Sequence, residues 1–372
     1  MLDGSHRYFC ESRLILLQIP IFAENLQMKK LFFFFLLSSL WSAQKTEIIK
    51  INDNLRDRKG LTKSLTFIDN RSDKNIGSIP DKKDIVELKF ANNDLQGLIE
   101  NKFREDNKTM GNNDIVLMLE DLKVYEEQDN NRPFTYAKAR IKLSSFIKRN
   151  DKYYFIGRYS NVIVCNPNIT VHPSIFLAGQ ISEIFTQFIK ASYYPNINPG
   201  YYIPENEINR YEEYLNKEYK AFNNPILKEG IYTNFQEFRN QNPNPEYSLK
   251  KNKKGKVVQL IDKGLETSLS KVYCYVENGI AYKTTPVGFD EIKKDNKGFY
   301  IYSSRTNLFA SAQTGGLFVG AVAGGLVGAL IGAAIDSSSN TNAGAVQGVG
   351  FRSTMESNVY LDSLTGSYIF EK

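Results

Sequence analysis

The sequence predicts an α+β protein: an N-terminal sheet-plus-helices domain, a second β-rich domain and one glycine-zipper helix near the C-terminus. Three observations carry that expectation. From Asp84 to Cys165 several runs alternate apolar and polar residues, the period of half-buried strands. Two segments, one containing Leu95 and one opening at Pro173, space their apolar residues along one face of a helix. Gly315 to Ile335 reads GGLFVGAVAGGLVGALIGAAI, with Gly316, Gly320, Gly324, Gly328 and Gly332 at every fourth position.

In chain order, residues 1–27 are expected to be an upstream extension from a mis-assigned start. Met28-Lys29-Lys30 supplies a basic n-region, Leu31 to Ala43 (LFFFFLLSSLWSA) an apolar core ending in small residues, and Gln44 a polar start. Residues 28–43 therefore read as a secretory signal peptide. Trp41 stands where a small residue is usual before the cut. The competing arrangement, a cytoplasmic tail before a signal anchor, needs a longer apolar run than this one. Residues 44–83 are polar and lack sustained periodicity, and are expected to form a flexible lead-in.

Residues 84–204 are expected to form the α+β domain. Val86, Leu88 and Phe90 mark a strand; Leu95, Leu98, Ile99 and Phe103 mark a helix. Ile115 to Glu126, Thr135 to Ile147 and Lys152 to Cys165 read as three further strands. Pro173 then opens a helix that turns Leu177, Ile181, Ile184, Phe185 and Phe188 toward the core. Helices on one face of a sheet follow from this order. The order resembles the small α+β domains of bacterial envelope lipoproteins and transport-accessory proteins, which implies a role in protein assembly. Ser192 to Pro204 (SYYPNINPGYYIP) is the connector.

Residues 205–224 are expected to form a charged connecting helix with Ile208, Tyr211, Leu215 and Tyr219 on one stripe. Residues 225–310 are the β-rich domain. Thr233 is placed to cap a short helix, with Gln236 completing a capping box. Strands are expected over Val257 to Ile261, Ser270 to Val276, Ile280 to Lys283 and Gly298 to Ser303, with Asn278-Gly279 as a hairpin turn. Residues 311–336 form the zipper helix, and 337–372 a polar loop followed by a strand or hairpin.

Gly230, Tyr232, Phe235 and Phe238, with Tyr275, Tyr282 and Tyr300 after them, resemble an exported bacterial family of unknown function with a G-x-Y-x-x-F-x-x-F start. The resemblance covers Lys228 to Ser304. It implies export and an all-β or α+β fold, and no chemistry.

The zipper bounds the location. At about 1.5 Å per residue, Gly315 to Ile335 spans roughly 30 Å as a helix, the depth of a bilayer core. Glycine at every fourth residue leaves a ridge for close approach of another helix. A transmembrane helix and self-assembly are therefore expected, with a buried glycine-rich element of a soluble domain as the competing arrangement. Expected partners are membrane lipid and a second copy of the chain or other envelope proteins.

Composition excludes several chemistries. Lys+Arg 47 against Asp+Glu 41 leaves +6, and the one basic run, Lys250 to Lys256 (KKNKKGK), reads as a hairpin tip. No nucleic-acid partner is expected. After Ala43 only Cys165, Cys274 and His172 remain of their kinds, too few for a Cys/His metal site or a cofactor cage. The two cysteines are either bridged or separate buried thiols. His172 is expected to serve the start of the helix at Pro173. Glu120-Asp121, Glu126-Glu127 and Glu212-Glu213 read as surface charge. No nucleophile elbow, P-loop or dinucleotide fingerprint is present. The expectation is an exported, non-enzymatic envelope protein without catalytic, metal or cofactor residues. Its alternatives are a pore-forming protein and a soluble periplasmic hydrolase.

Overall fold

The computed structural model describes residues 45–51, 54–91, 94–108, 111–128, 135–165, 170–195, 201–308, 345–346, 350–351 and 356–370. The first half runs β1 (Lys45–Ile49), β2 (Thr62–Asp69), β3 (Ser78–Asp81), β4 (Asp84–Phe90), α1 (Leu95–Asp106), β5 (Asn113–Gln128), β6 (Thr135–Arg149), β7 (Lys152–Val164) and α2 (Pro173–Ser192). Next come β8 (Ile203–Pro204), a 3-10 turn over Glu205–Arg210, α3 (Tyr211–Asn216) and α4 (Lys220–Asn223). The second half runs β9 (Gly230–Tyr232), α5 (Phe235–Arg239), β10 (Tyr247–Lys251), β11 (Val257–Asp262), β12 (Leu265–Thr267), β13 (Cys274–Glu277), β14 (Ile280–Thr285), β15 (Gly288–Asp295) and β16 (Gly298–Ser304). It ends with α6 (Arg305–Leu308), β17 (Ala345–Val346), β18 (Gly350–Phe351), β19 (Glu356–Leu361) and β20 (Tyr368–Ile369). The fold is thus mixed α+β, with several sheets.

The central sheet is built on β5. Its run Ile115-Val116-Leu117-Met118-Leu119 is apolar on both faces, which calls for cover on both sides. Ile115, Leu117 and Leu119 face a core shared with β1, β4, α1 and α2. Val116 and Met118 face the opposite way, onto Ile203, Ile208, Tyr211, Leu215 and Tyr219. The long antiparallel ladder β5–β6–β7 is extended on one edge by β2, which pairs with β5 in parallel. Helices therefore lie on both faces of this sheet rather than one.

The polar segment 44–83 differs most from expectation. Its described residues carry β1, β2 and β3, with β1 parallel to β4 and β3 antiparallel to it. Few apolar residues suffice, because Ile49, Leu55, Leu65, Phe67 and Ile79 are all sunk into the core. Asp57 shapes the loop between β1 and β2 by accepting the amides of Lys59, Leu61 and Thr62.

The connecting segment also differs. The stripe Ile208, Tyr211, Leu215 and Tyr219 is buried as packing surface, but the chain is broken into a 3-10 turn and two short helices.

The second large sheet has the order β20-β19-β16-β15-β14-β13-β9. Its inner face packs Cys274, Val276, Ala281, Ile292, Phe299, Ile301, Val359 and Leu361 against Tyr232, Phe235 and Phe238. Part of the outer face, around Ile231 and Tyr275, is covered by the sheet β10-β11-β12. Asn278 and Gly279 both take positive φ (54° and 75°), the two-residue hairpin turn expected between β13 and β14. The run Lys250 to Lys256 forms the end of β10 and the turn that joins it to β11, the hairpin tip expected of it.

The expectation of a transmembrane helix is corrected. Among the described residues no helix is long and apolar enough to cross a membrane. The longest, α2, is 20 residues and carries Ser182, Glu183, Thr186, Gln187 and Lys190 along its length. Gly315 to Ile335, including Gly316, Gly320, Gly324, Gly328 and Gly332, lies outside the described residues, as do residues 1–44.

Candidate functional site

The densest set of chemistry-bearing side chains lies where β5, β6, β7, α3 and the turn between β19 and β20 meet. Arg158 on β7 is its centre, with its side chain 3 % exposed. Its Nε donates to Asp362 Oδ2 at 2.6 Å, and its Nη2 donates to Glu212 Oε1 at 3.1 Å. Lys142 on β6 then bridges Glu212 and Glu120, at 3.0 and 3.1 Å. Glu120 on β5 accepts from the Tyr211 hydroxyl at 2.7 Å and from Ser144.

Each position follows from local structure. On β6, Lys142 and Ser144 are two residues apart and so share one face of the sheet. Tyr211 and Glu212 open α3, which lies on that face. Asp362 follows β19 and caps its own turn, accepting the amides of Leu364 and Thr365 at 2.9 Å each. Two further ties reach the same hairpin: Asn161 Nδ2 donates to the Tyr368 carbonyl at 2.8 Å, and Arg239 Nη1 to the Leu364 carbonyl at 2.7 Å.

The electrostatics are those of a fastening. Burial works to lower the Arg158 pKa, but Asp362, Tyr211 and Glu212 outweigh it and hold the guanidinium well above its ordinary value. Burial works to raise the Glu212 carboxyl, and Arg158 and Lys142 outweigh it, leaving the group at about 2. Burial, first of all, pushes the Tyr211 hydroxyl well up. At neutral pH Glu212 is therefore held ionised against Arg158 and Lys142, and the Tyr211 phenol is held protonated.

Other candidates resolve into structural parts. His172 sits at the start of α2 without a side-chain cap bond of its own; its Nδ1 meets Asp81 Oδ1 at 3.0 Å. Asp81 also takes the Ser174 amide and hydroxyl, so a strand-borne carboxylate serves the helix start. Cys165 and Cys274 are both buried and free, which decides for separate thiols. Of the paired acids read as surface charge, Glu120 and Glu212 turn inward into the Arg158 cluster. Asp121 and Glu127 pair with Arg140 and Lys138 instead.

Of the motif residues, Tyr232, Phe235 and Phe238 come together in one core, whereas Tyr275, Tyr282 and Tyr300 lie on the opposite face of the sheet. Tyr232 meets Phe238 edge-on at 5.5 Å, Phe238 meets Phe299 at 5.5 Å, and Phe235 lies 6.4 Å from Phe238. Gly230 takes φ +134°, and a Cβ there would come within 2.6 Å of Pro243. The cap of α5 is one residue later than expected. Asn234 accepts the Glu237 amide at 2.9 Å, while Glu237 reaches back to the Thr233 amide at 2.7 Å. Asn234 is thus the N-cap and Glu237 takes the place expected of Gln236, its carboxylate accepting both the amide and the hydroxyl of Thr233.

One buried group stands apart. Lys283 on β14 is fully buried, directly across from Cys274 on β13. Its ammonium lies 4.0 Å from the ring centre of Tyr273 and 5.6 Å from that of Tyr368. Its one hydrogen bond among the described residues goes to the Thr284 carbonyl at 3.2 Å. Burial, the largest influence, pulls its pKa down to about 8.

Comparison with protein-family models, with curated proteins and with solved structures finds no match. The resemblance of Gly230, Tyr232, Phe235 and Phe238 to an exported family therefore rests on the motif residues themselves. Sequence reasoning missed Arg158 and Asp362, which lie 204 positions apart and carry no local signal.

Proposed function

We propose that this chain is an exported, non-enzymatic protein of the cell envelope that works by association. The observation that carries the non-enzymatic reading is the Arg158 cluster. Glu120, Lys142, Ser144, Tyr211 and Glu212, the side chains that catalysis would use, spend their bonds on one another and on the C-terminal turn. Their role on this reading is to hold the last hairpin against the central sheet.

Export is supported by Met28 to Ala43, a basic start followed by an apolar core that ends in small residues. Association is supported by the fourfold spacing of Gly316 to Gly332, which suits close contact with another copy of the chain.

The test is expression of the chain from Met28, with fractionation, N-terminal sequencing of the purified product, and cross-linking. A product beginning at Gln44 in the envelope fraction, with cross-linked oligomers lost in a Gly320→Leu/Gly324→Leu variant, is the expected result. An uncut chain in the cytoplasm overturns export. Oligomers that persist in the double variant overturn the glycine contact.

A further inference from the structure

The far end of the central sheet, where β5 ends, β6 begins and β7 ends, carries an apolar cluster of its own. Tyr136, Val162 and Val164 are buried, and Tyr125 packs against them. Register puts these side chains on one face. Tyr125 stands opposite Lys138, Lys138 opposite Val164, and Arg140 opposite Val162. It is the face that carries Lys142 and Ser144, not the one that α2 covers.

A bare sheet face leaves its side chains in water. Here Val164 and Lys138 are each 4 % exposed, with Lys138 paired to Glu127 at 3.0 Å. Two residues on, Arg140 is exposed, so on β6 the cover stops short of it. Among the described residues, the apolar members of this cluster come from β5, β6 and β7 alone. The burial is that of the single chain, so what lies over the face belongs to the chain itself.

We infer that Gly315 to Ile335 is this cover, its bulky side laid on Tyr125, Tyr136, Val162 and Val164 and its glycine ridge turned away. The path of the chain leads there. It leaves the second large sheet through α6, which ends at Leu308, and re-enters at β17 and β18, where Gly350 pairs in parallel with Val164 itself. Residues 309–344 therefore return to the edge of the cluster. Composition makes the same choice. The other stretches beyond residue 44 that lie outside the described residues, such as 129–134 (DNNRPF) and 166–169 (NPNI), are short and mostly polar. The segment is also two-sided. At about 100° per residue, Phe318, Val319, Val322, Leu326 and Leu330 fall within one third of a helical wheel. Gly320, Gly324, Gly328 and Gly332 fall within the third across from it. One side is shaped to fill an apolar face, and the other admits a close neighbour. The glycine contact proposed above is thus left open to a second copy, and the cover does not depend on it.

The test places a reporter thiol in the full chain, Val162→Cys, and follows its labelling by a maleimide. Cys165 and Cys274 are buried, and an unlabelled Cys274 shows that the fold has held. Val162→Cys is expected to react at least about ten-fold more slowly than Tyr302→Cys, a position 56 % exposed. Adding Leu326→Asp and Leu330→Asp is expected to bring it close to the Tyr302→Cys rate. The milder pair Leu326→Ala and Leu330→Ala, read instead if Cys274 becomes labelled, should raise the rate several-fold. Adding Gly320→Leu and Gly324→Leu should leave labelling slow. Fast labelling of Val162→Cys alone overturns the inference, because the face is then bare. Slow labelling that persists in both leucine pairs overturns it too, since another stretch is then the cover. So does fast labelling in the glycine variant, which assigns the cover to a second copy. Oligomers that persist in the glycine variant overturn only the association proposed above.

Discussion

Replacing Lys283 by methionine is expected to make the protein more stable. The side chain is fully buried, with no carboxylate within ion-pair distance among the described residues. A pKa of about 8 against an ordinary 10.5 corresponds, at about 1.36 kcal/mol per unit, to about 3 kcal/mol against folding. The Tyr273 ring 4.0 Å away returns part of this, about 1–2 kcal/mol for a desolvated cation. A net gain of about 1–2 kcal/mol at pH 7 is expected for Lys283→Met, which keeps the volume and removes the charge. The pH dependence has a definite sign. The folded pKa lies below the unfolded one, so the folded state holds fewer protons and stability rises with pH. The penalty is absent above about pH 10.5, grows as pH falls and is complete below about pH 8. Urea unfolding of both proteins at pH 7 and pH 10 reads the effect. The gap between the midpoints should narrow at the higher pH, with the slope unchanged. A destabilised variant, or a gap that does not change with pH, refutes the account of Lys283 as an uncompensated buried charge.

The Arg158 cluster yields two further expectations. Asp362→Ala leaves Arg158 without its most buried partner and is expected to cost about 3–5 kcal/mol in urea unfolding, whereas a change of 1 kcal/mol or less means the pair is not a fastening. Glu212 is held at about 2, below its unfolded value, so its contribution is complete above about pH 4.5 and is lost as pH falls toward 2. The acid limb of the stability curve should accordingly flatten in Glu212→Gln; an unchanged limb would assign acid sensitivity elsewhere. Asn234→Ala is expected to cost about 1 kcal/mol through loss of the α5 cap, read by thermal unfolding, and a neutral result would return the cap to Thr233.

The strands β5, β6 and β7 and the helix α2 were legible because each is long, and because its apolar period has no rival interpretation. The hairpin at Asn278-Gly279 was legible for a chemical reason, since both positions need positive φ and the pair favours it. The hairpin at Lys263-Gly264 uses the same geometry (φ 50° and 85°), but Lys263 gives no such signal, and the strand Leu265–Thr267 went unread. Strands β1 and β2 were hidden by their composition. They are edge elements that bury little, Ile49 in β1 and Thr62, Leu65 and Phe67 in β2, so Asn, Asp, Lys and Ser around them read as a loop. β15 (GFDEIKKD) was hidden by its open outer face, where Glu291 and Lys293 break the apolar pattern. The aromatic core of Tyr232, Phe235 and Phe238 could be anticipated from spacing. The Arg158 cluster could not, because ion pairs between distant strands and the chain terminus leave no periodic trace.

The ties from Arg158 to Asp362 and from Asn161 to Tyr368 and Phe370 join residues 204, 207 and 209 positions apart. In a chain made from its N-terminus, β7 emerges long before the hairpin that covers it, so until then Arg158 has only Glu212 to turn to and that face of β7 is bare. Substitutions in the β19–β20 hairpin should for the same reason be felt in folding yield sooner than equivalent changes on the hairpin between β10 and β11, whose strands are neighbours in sequence.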